Sequence, residues 1–146
     1  GVLETVKKLG WAPDLIHCHG WMTSLIPLYL KTSYKDEPLF ENSKVVTSIY
    51  NDCFDGSLDK NFAKKAMMDG VSEDDIHNFI TPTHANLCAA AASWSDGVII
   101  GEEGAEKIVD NVTVPRLDYQ GPDFVDAFNN FYDEILLQEE VEALAE

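Results

Sequence analysis

The sequence predicts an α/β fold in which helices cover both faces of a parallel sheet. Short apolar runs rich in Val and Ile, typical of buried strands, alternate along the chain with longer stretches of helical periodicity. Strands that alternate with helices form right-handed βαβ units, and the strands of such units are parallel. The 146 residues are enough for one ordinary domain with a real core. We therefore expect a Rossmann-like, three-layer domain.

The N-terminal part of the chain predicts two helices around one strand. Residues 2–9 have the pattern of an amphipathic helix, and Gly10 is the residue favoured at a left-handed helix cap. Residues 15–19 form a short apolar run that predicts the first strand. Residues 21–32 return to helical spacing, but Pro27 lies inside this stretch. Because proline lacks an N–H and clashes with the preceding turn, we expect a kink or an early 3₁₀ turn there.

Two more strands and two more helices are predicted in the central part of the chain. The Val and Ile content of residues 44–50 and 97–101 predicts the second and third strands. The Ala-rich stretch 83–95 predicts a buried helix, and residues 103–109 predict a short one. The stretch 111–120 contains a proline and is expected to be a connection without a strand.

Residues 1–146 are predicted to form a single, partial Rossmann-like domain. Residues 52–82 carry turn signals and are expected to be an irregular, mobile insertion over one edge of the sheet. Pro122 is expected to begin a C-terminal helix within 122–146, whose acidic tail, 139–146, is expected to fray. Three strands are few for such a fold, and no strand precedes the first helix. We therefore expect the domain to be truncated at its N-terminus.

Charge and composition exclude several classes of partner. The formal net charge is −16, and Lys and Arg together number only 10. So acidic a surface repels phosphate backbones and anionic lipids, which argues against nucleic-acid and membrane-surface binding. No apolar run approaches the roughly 20 residues of a membrane-spanning helix. Neutral partners such as sugars remain possible.

The cysteines indicate a reducing compartment. Cys18, Cys53 and Cys88 are odd in number and lack the C-x-x-C spacing of redox and metal sites. We expect each to be a reduced, small, buried apolar residue, and the protein to be cytoplasmic.

The main candidate site is the segment HCHGW at 17–21, where the first predicted strand ends and a helix follows. Ligands bind at the carboxyl ends of parallel strands, and the second strand ends in the polar residues Tyr50 and Asn51. The His19 imidazole donates or accepts a hydrogen bond near neutral pH. Gly20 permits close backbone approach, and the helix start offers free N–H groups.

Three residues of this segment also have structural interpretations. His17, inside the strand, is expected to be a core histidine with satisfied hydrogen bonds rather than a functional group. Trp21 is expected to pack in the core, with a sugar platform as the alternative. Cys18 is not expected to be a nucleophile beside the two histidines, because a strand neighbour points to the opposite face of the sheet.

The segment WAPDLIHCHGW at 11–21, followed by LIPLYL at 25–30, resembles bacterial glycogen and starch synthases. The family pattern there is W-x-P-D, two apolar residues and H-x-H-(D/G)-W, followed by an apolar helix containing P-x-Y-L. SIYN at 48–51 is similar to the family's T-V-H-N, and FDG at 54–56 to its Y-Q-G. Residues 91–109 are similar to its next helix, strand and helix. The resemblance covers roughly residues 1–110.

This resemblance implies part of the N-terminal lobe of a retaining glucosyltransferase of the GT-B fold. Such enzymes extend an α-1,4-glucan from ADP-glucose or UDP-glucose, and they need neither a metal nor another cofactor. By resemblance His19 contacts the transferred glucose as the catalytic residue. Gly20, Trp21, Tyr50 and Asn51 line the substrate cleft.

The chain departs from the family pattern at several points. Tyr50 replaces a histidine, Gly20 stands where many members have Asp, and Ala89 stands where a Lys is expected. The segment GEE at 101–103 replaces V-S-P. The lysine-containing K-x-G-G-L loop and the C-terminal lobe, which clamp the nucleotide sugar, are absent. We therefore expect the chain alone to be inactive.

Two other functions remain as alternatives. The first is a non-catalytic lobe that binds glucan or a partner protein. The second is a metal-dependent hydrolase, because H-x-H at a strand end is also a metal-binding pattern, with His77 or His84 as a further ligand. No G-x-G-x-x-G, P-loop or G-x-S-x-G motif is present. A sheet edge exposed by missing strands makes a homodimer possible.

Overall fold

A computed structural model describes the backbone of residues 1–143 and the side chains up to residue 137. No helix in this described part is long and apolar enough to cross a membrane. The helices and strands follow one another in the predicted alternation. They are α1 (Val2–Leu9), β1 (Leu15–His19), α2 (Leu25–Lys31), β2 (Lys44–Ile49), α3 (Phe62–Ala66), α4 (His84–Ser93), β3 (Gly97–Ile100), β4 (Arg116–Leu117) and α5 (Val125–Ala143).

All four strands are parallel and lie in the order β1-β2-β3-β4, which confirms the predicted α/β class. The prediction of three strands was wrong, because β4 lies inside the stretch 111–120. Its two residues, Arg116 and Leu117, pair with Val98 and Ile99. Two residues are too few to show the alternation by which a strand is recognised in a sequence.

One face of the sheet is covered by α2 and α4. The prediction of a buried Ala-rich helix is confirmed, since Ala90, Ala91 and Ala92 are at most 2% exposed. Their small side chains allow α4 to lie close beneath the sheet. The Thr83 side chain accepts a hydrogen bond from the Asn86 backbone N–H at 3.2 Å and caps the helix.

Residues 52–82 pack against these two helices. They contain α3 and a 3₁₀ turn at His77–Phe79. Their buried residues join Leu28 of α2 and Leu87 of α4 in one apolar cluster. These buried residues are Ala66, Val71, Ile76 and Phe79. The separation of 52–82 as a distinct, mobile unit stays a prediction.

The other face of the sheet is covered by α5, which gives the third layer. Phe131 and Ile135 of α5 pack against Val46 and Ile99 from the two central strands. The helix begins at Val125 and not at Pro122, because Gly121 has a φ of 71° and the chain turns there first. The predicted fraying of the acidic tail, 139–146, lies outside the residues whose side chains are described.

The connection after β1 contains the early 3₁₀ turn that was expected from Pro27. A 3₁₀ turn at Trp21–Thr23 precedes α2, and Pro27 lies in the first turn of α2. The N–H groups of the first helical turn have no partner within the helix, so the N–H that proline lacks costs no helical hydrogen bond there. Gly10 has the left-handed conformation expected of a helix cap, with a φ of 64°. The short helix predicted at 103–109 is a 3₁₀ helix at Ala105–Val109.

The contact between β3 and α5 leads to a first prediction. A Cβ added at Gly97 would lie 2.8 Å from the Ile135 Cδ1 and 3.0 Å from the Phe131 Cζ. Gly97→Ala is therefore expected to lower the free energy of unfolding by about 1–2 kcal/mol, because overpacking outweighs the entropic gain of removing a glycine. Urea denaturation measures the change. Gly1→Ala, with no atom within 4 Å of the added Cβ, is the matched control; equal stability of the two variants would contradict the packing.

Candidate active site at the carboxyl edge of the sheet

The two histidines of β1 lie on the same face of the sheet. The rings of His17 and His19 stack with their centroids 3.9 Å apart. Cys18, between them, points to the opposite face and packs with Leu3 and Val45. Burial raises the pKa of the Cys18 thiol to about 12. Cys18 therefore does not serve as a nucleophile beside the histidines, as expected from the alternation of a strand.

His17 has partners for both ring nitrogens. Its Nδ1 is 2.7 Å from the Tyr132 hydroxyl and its Nε2 is 2.7 Å from the Ser48 Oγ. Burial, and to a smaller extent a charge on His19, lowers the pKa of His17 to about 4. The expectation that His17 has satisfied hydrogen bonds is confirmed, although its ring is half-buried rather than in the core. Its imidazole connects β1 and β2 to α5.

His19 is exposed and held from one side only. Its Nδ1 is 2.9 Å from the Tyr50 hydroxyl, and the two rings are stacked with their centroids 6.2 Å apart. In the described part of the chain, its Nε2 has no hydrogen-bond partner. Desolvation lowers the pKa of His19, so the ring is neutral at pH 7. The arrangement leaves one nitrogen free to donate or accept a hydrogen bond.

Tyr50 and Gly101 fit each other across neighbouring strand ends. A Cβ added at Gly101 would lie 2.6 Å from the Tyr50 Cζ, so only glycine leaves room for this ring. Both residues depart from the family pattern described above. The glycine at 101 provides the space that the tyrosine at 50 occupies, and the two departures therefore belong to one local arrangement.

The other candidate residues lie around this edge in different roles. Gly20 has a φ of 70°, and its N–H donates to the Ser48 carbonyl at 3.0 Å. Trp21 is partly buried and contacts the edge of Phe54 at 4.8 Å between ring centroids. It packs against two apolar clusters, which agrees with the core interpretation of Trp21.

Asn51 ties the end of β2 to the segment after β3. Its backbone N–H donates to the Glu102 carboxylate at 2.9 Å, and its Nδ2 donates to the Glu103 carbonyl at 2.8 Å. Asn51 is exposed at the edge but does not line the cleft beside His19. The structure thus brings His19 and Tyr50 together and leaves Gly20, Trp21 and Asn51 around them.

A cleft of about 230 Å³ lies beside His19 and Tyr50. Its opposite wall is formed by the segment that leads into α5 and by the first turn of α5, with three aromatic rings that the sequence analysis did not assign to the site. Their signal was the density of aromatic residues between 119 and 132. Among the residues whose side chains are described, no Lys or Arg lines the cleft. The lining residues are His19, Tyr50, Ile100, Gly101, Tyr119, Gln120, Gly121, Phe124 and Phe128.

The geometry does not favour a metal centre on the H-x-H pair. Both ring nitrogens of His17 are engaged by hydroxyl groups, so only His19 has a free nitrogen. Among the residues that the structure describes, no group of three His, Cys, Asp or Glu side chains is placed to hold a metal ion. The proposed third ligands, His77 and His84, lie in or beside 52–82 and do not join the pair.

The fold defines a class of protein: a Rossmann-like α/β domain with a parallel sheet. Its cleft lies at the carboxyl ends of the strands, where ligands bind in such domains. The chain matches the family model described as the starch synthase catalytic domain over residues 1–110. The chain therefore belongs to the starch synthase catalytic domain family, a family of glycosyltransferases.

The curated relatives that the chain matches are named glycogen synthase. A glycogen synthase of Chlorobium phaeovibrioides is 40% identical over 111 residues, which are 71% of this chain and 23% of that protein. A glycogen synthase of Clostridium perfringens is 48% identical over 57 residues, 39% of this chain and 12% of its own length. One of Photobacterium profundum is 34% identical over 97 residues, 66% of this chain and 19% of its own length. The chain thus spans less than a quarter of these relatives' length. No solved structure matches it.

Proposed function

We propose that the chain is the glucosyl-binding part of a transferase that moves glucose from ADP-glucose or UDP-glucose to the end of an α-1,4-glucan. The observation that carries this proposal is the His19 imidazole, which Tyr50 holds through Nδ1 at 2.9 Å while Nε2 remains free beside the cleft. A neutral imidazole in this position is suited to a hydrogen bond with a sugar hydroxyl.

The charge of the cleft supports a neutral ligand. No cationic side chain lines it in the part of the chain up to residue 137, and Glu102 and Asp52 lie near its strand ends. A diphosphate placed there would lack the Lys and Arg partners that such groups need. The diphosphate of the donor is therefore held by another part of the transferase, and this chain alone is inactive. We propose a retaining reaction that depends on positioning and electrostatic stabilisation, without a metal or another cofactor.

The aromatic wall supports a sugar ring in particular. Tyr119, Phe124 and Phe128 lie across the cleft from His19. Aromatic rings stack on the apolar face of a sugar, while the equatorial hydroxyls find polar groups at the rim. The cleft is smaller than the roughly 300–1,000 Å³ of pockets for drug-sized ligands, and this size suits a single hexose unit.

A second candidate function is a lobe that binds glucan without catalysis. The changed residues at the strand ends, Tyr50 and Gly101, favour this candidate, since they alter the side of the cleft nearest His19. Both functions place glucan at the same cleft. A cytoplasmic location and a homodimer through the edge of the sheet stay predictions.

Titration of the chain with maltotetraose, followed by amide NMR, tests the sugar site. Saturable shifts are expected at residues 19, 50 and 119–128. His19→Ala is expected to weaken binding at least about tenfold, since a hydrogen bond to sugar is lost. Phe124→Ala is expected to weaken it several-fold through lost stacking.

Val125→Ala is the matched control for Phe124→Ala. Val125 is 59% exposed and does not line the cleft, and Phe124 is 43% exposed, so neither change disturbs the core. Equal affinity of the wild type and His19→Ala would exclude His19 as a sugar contact. Absence of shifts at millimolar maltotetraose would contradict a sugar site on this chain.

A further inference from the structure

Asp52, Cys53 and His84 form a second polar cluster, which does not line the sugar cleft. Asp52 and Cys53 follow the end of β2, and His84 is the first residue of α4. The Cys53 Sγ is 3.4 Å from the His84 Nδ1, and the Asp52 Oδ1 is 3.3 Å from the His84 Nε2. His84 is only 5% exposed, whereas Cys53 is exposed. A buried imidazole thus connects an accessible thiol to a carboxylate.

The Asp52 contact suits the tautomer of His84 that carries its proton on Nε2, because a carboxylate can only accept. With Asp52 accepting from Nε2–H, the His84 Nδ1 is an acceptor for the Cys53 thiol. Transfer of the thiol proton to Nδ1 gives a thiolate beside an imidazolium, the arrangement that activates a cysteine as a nucleophile.

The other titratable group facing His84 is the thiol of Cys88. Its Sγ is 3.6 Å from Nε2, on the side of the imidazole that Asp52 occupies. Burial, together with the negative charges of Asp52 and Cys53, raises the pKa of Cys88 to about 12. Cys18 is also buried. Of the three free cysteines, Cys53 alone combines exposure with a neighbouring base.

We propose that Cys53 is a reversible modification site that exchanges with small, neutral disulfides. His84 acts as the base, and Asp52 is a positioning residue that holds the imidazole. The net charge of −16 disfavours anionic disulfides as partners. This proposal does not depend on the sugar site.

The exchange is balanced without another oxidant. The Cys53 thiolate attacks one sulfur of the disulfide, and a new S–S bond forms between Cys53 and that half. The original S–S bond breaks, and its electron pair stays with the other half, which leaves as a thiolate and takes the proton from His84. Cys53 is oxidised and the small disulfide is reduced to one thiol.

Two measurements on the native chain test the proposal. After incubation with bis(2-hydroxyethyl) disulfide, mass spectrometry is expected to show one adduct at Cys53, lost in Cys53→Ser. At pH 7, Cys53 is expected to react with iodoacetamide several-fold faster than the thiol of free cysteine, because the His84 imidazole lies within reach of its proton. His84→Asn is expected to react several-fold more slowly than the wild type, because it lacks the base.

Two further variants keep the test decisive. Asp52→Asn changes an exposed carboxylate and is expected to slow the alkylation of Cys53 even if His84→Asn does not fold. Asp55→Asn removes a nearby exposed charge and is expected to keep the wild-type rate. A wild-type rate equal to that of free cysteine and unchanged in Asp52→Asn would overturn the proposal, as would an adduct that persists in Cys53→Ser.

Discussion

Phe131→Ala is expected to lower the free energy of unfolding by about 3–5 kcal/mol. Phe131 is 4% exposed and joins Ile135 against Val46 and Ile99, the apolar residues of the two central strands on that face. Removing the ring leaves a cavity between α5 and the sheet that neither element can close. Because domains are stable by only about 5–15 kcal/mol, this is a large share of the total. Urea denaturation followed by circular dichroism measures it.

Leu137→Ala is the matched control on the same helix. Leu137 is 53% exposed, so its truncation is expected to change the free energy of unfolding by no more than about 0.5 kcal/mol. A small effect of Phe131→Ala, similar to that of Leu137→Ala, would show that α5 does not pack on the sheet in solution. The wall of the sugar cleft would then be lost as well, since Phe124 directly precedes this helix and Phe128 lies in its first turn.

The class of fold was predictable because it depends on local patterns. Each of the first three strands is an apolar run, and α4 is recognisable from its alanines. The strand at Arg116–Leu117 was not predictable from the sequence. It is a strand because it pairs with Val98 on β3, and its own composition gives no sign of this. The start of α5 was placed three residues early, since Gly121 turns the chain before the helix begins.

The candidate site was predictable only in part, for a related reason. The parallel topology places the ends of β1 and β2 at one edge, so the proximity of His19 and Tyr50 follows from the strand assignment. The opposite wall depends on the direction in which α5 crosses the sheet. Likewise, Cys53 and His84 are 31 residues apart and meet through the packing of 52–82 on α4. A local sequence pattern does not show which residues so far apart in the chain come into contact.

The stability of the chain is expected to fall as the pH is lowered from 6.5 to about 4, because of His17. Burial lowers the pKa of His17 from 6.5 to about 4 in the folded chain. The unfolded chain therefore binds a proton at His17 over this range while the folded chain does not, and protonation favours unfolding. Since the ring is only partly buried, we expect a loss of about 1–3 kcal/mol. The contribution of His17 to the free energy of unfolding is fully present above pH 6.5.

Urea denaturation at several pH values measures this loss. His17→Gln removes the titrating group and is expected to flatten the dependence between pH 6.5 and 5, above the range in which carboxylates titrate. The lowered pKa of His19 contributes in the same direction, so some slope is expected to remain. His77→Gln, which removes an exposed imidazole, is the matched control. An unchanged slope in His17→Gln would mean that the imidazole between Tyr132 and Ser48 takes up its proton in the folded chain, and that α5 does not keep it neutral.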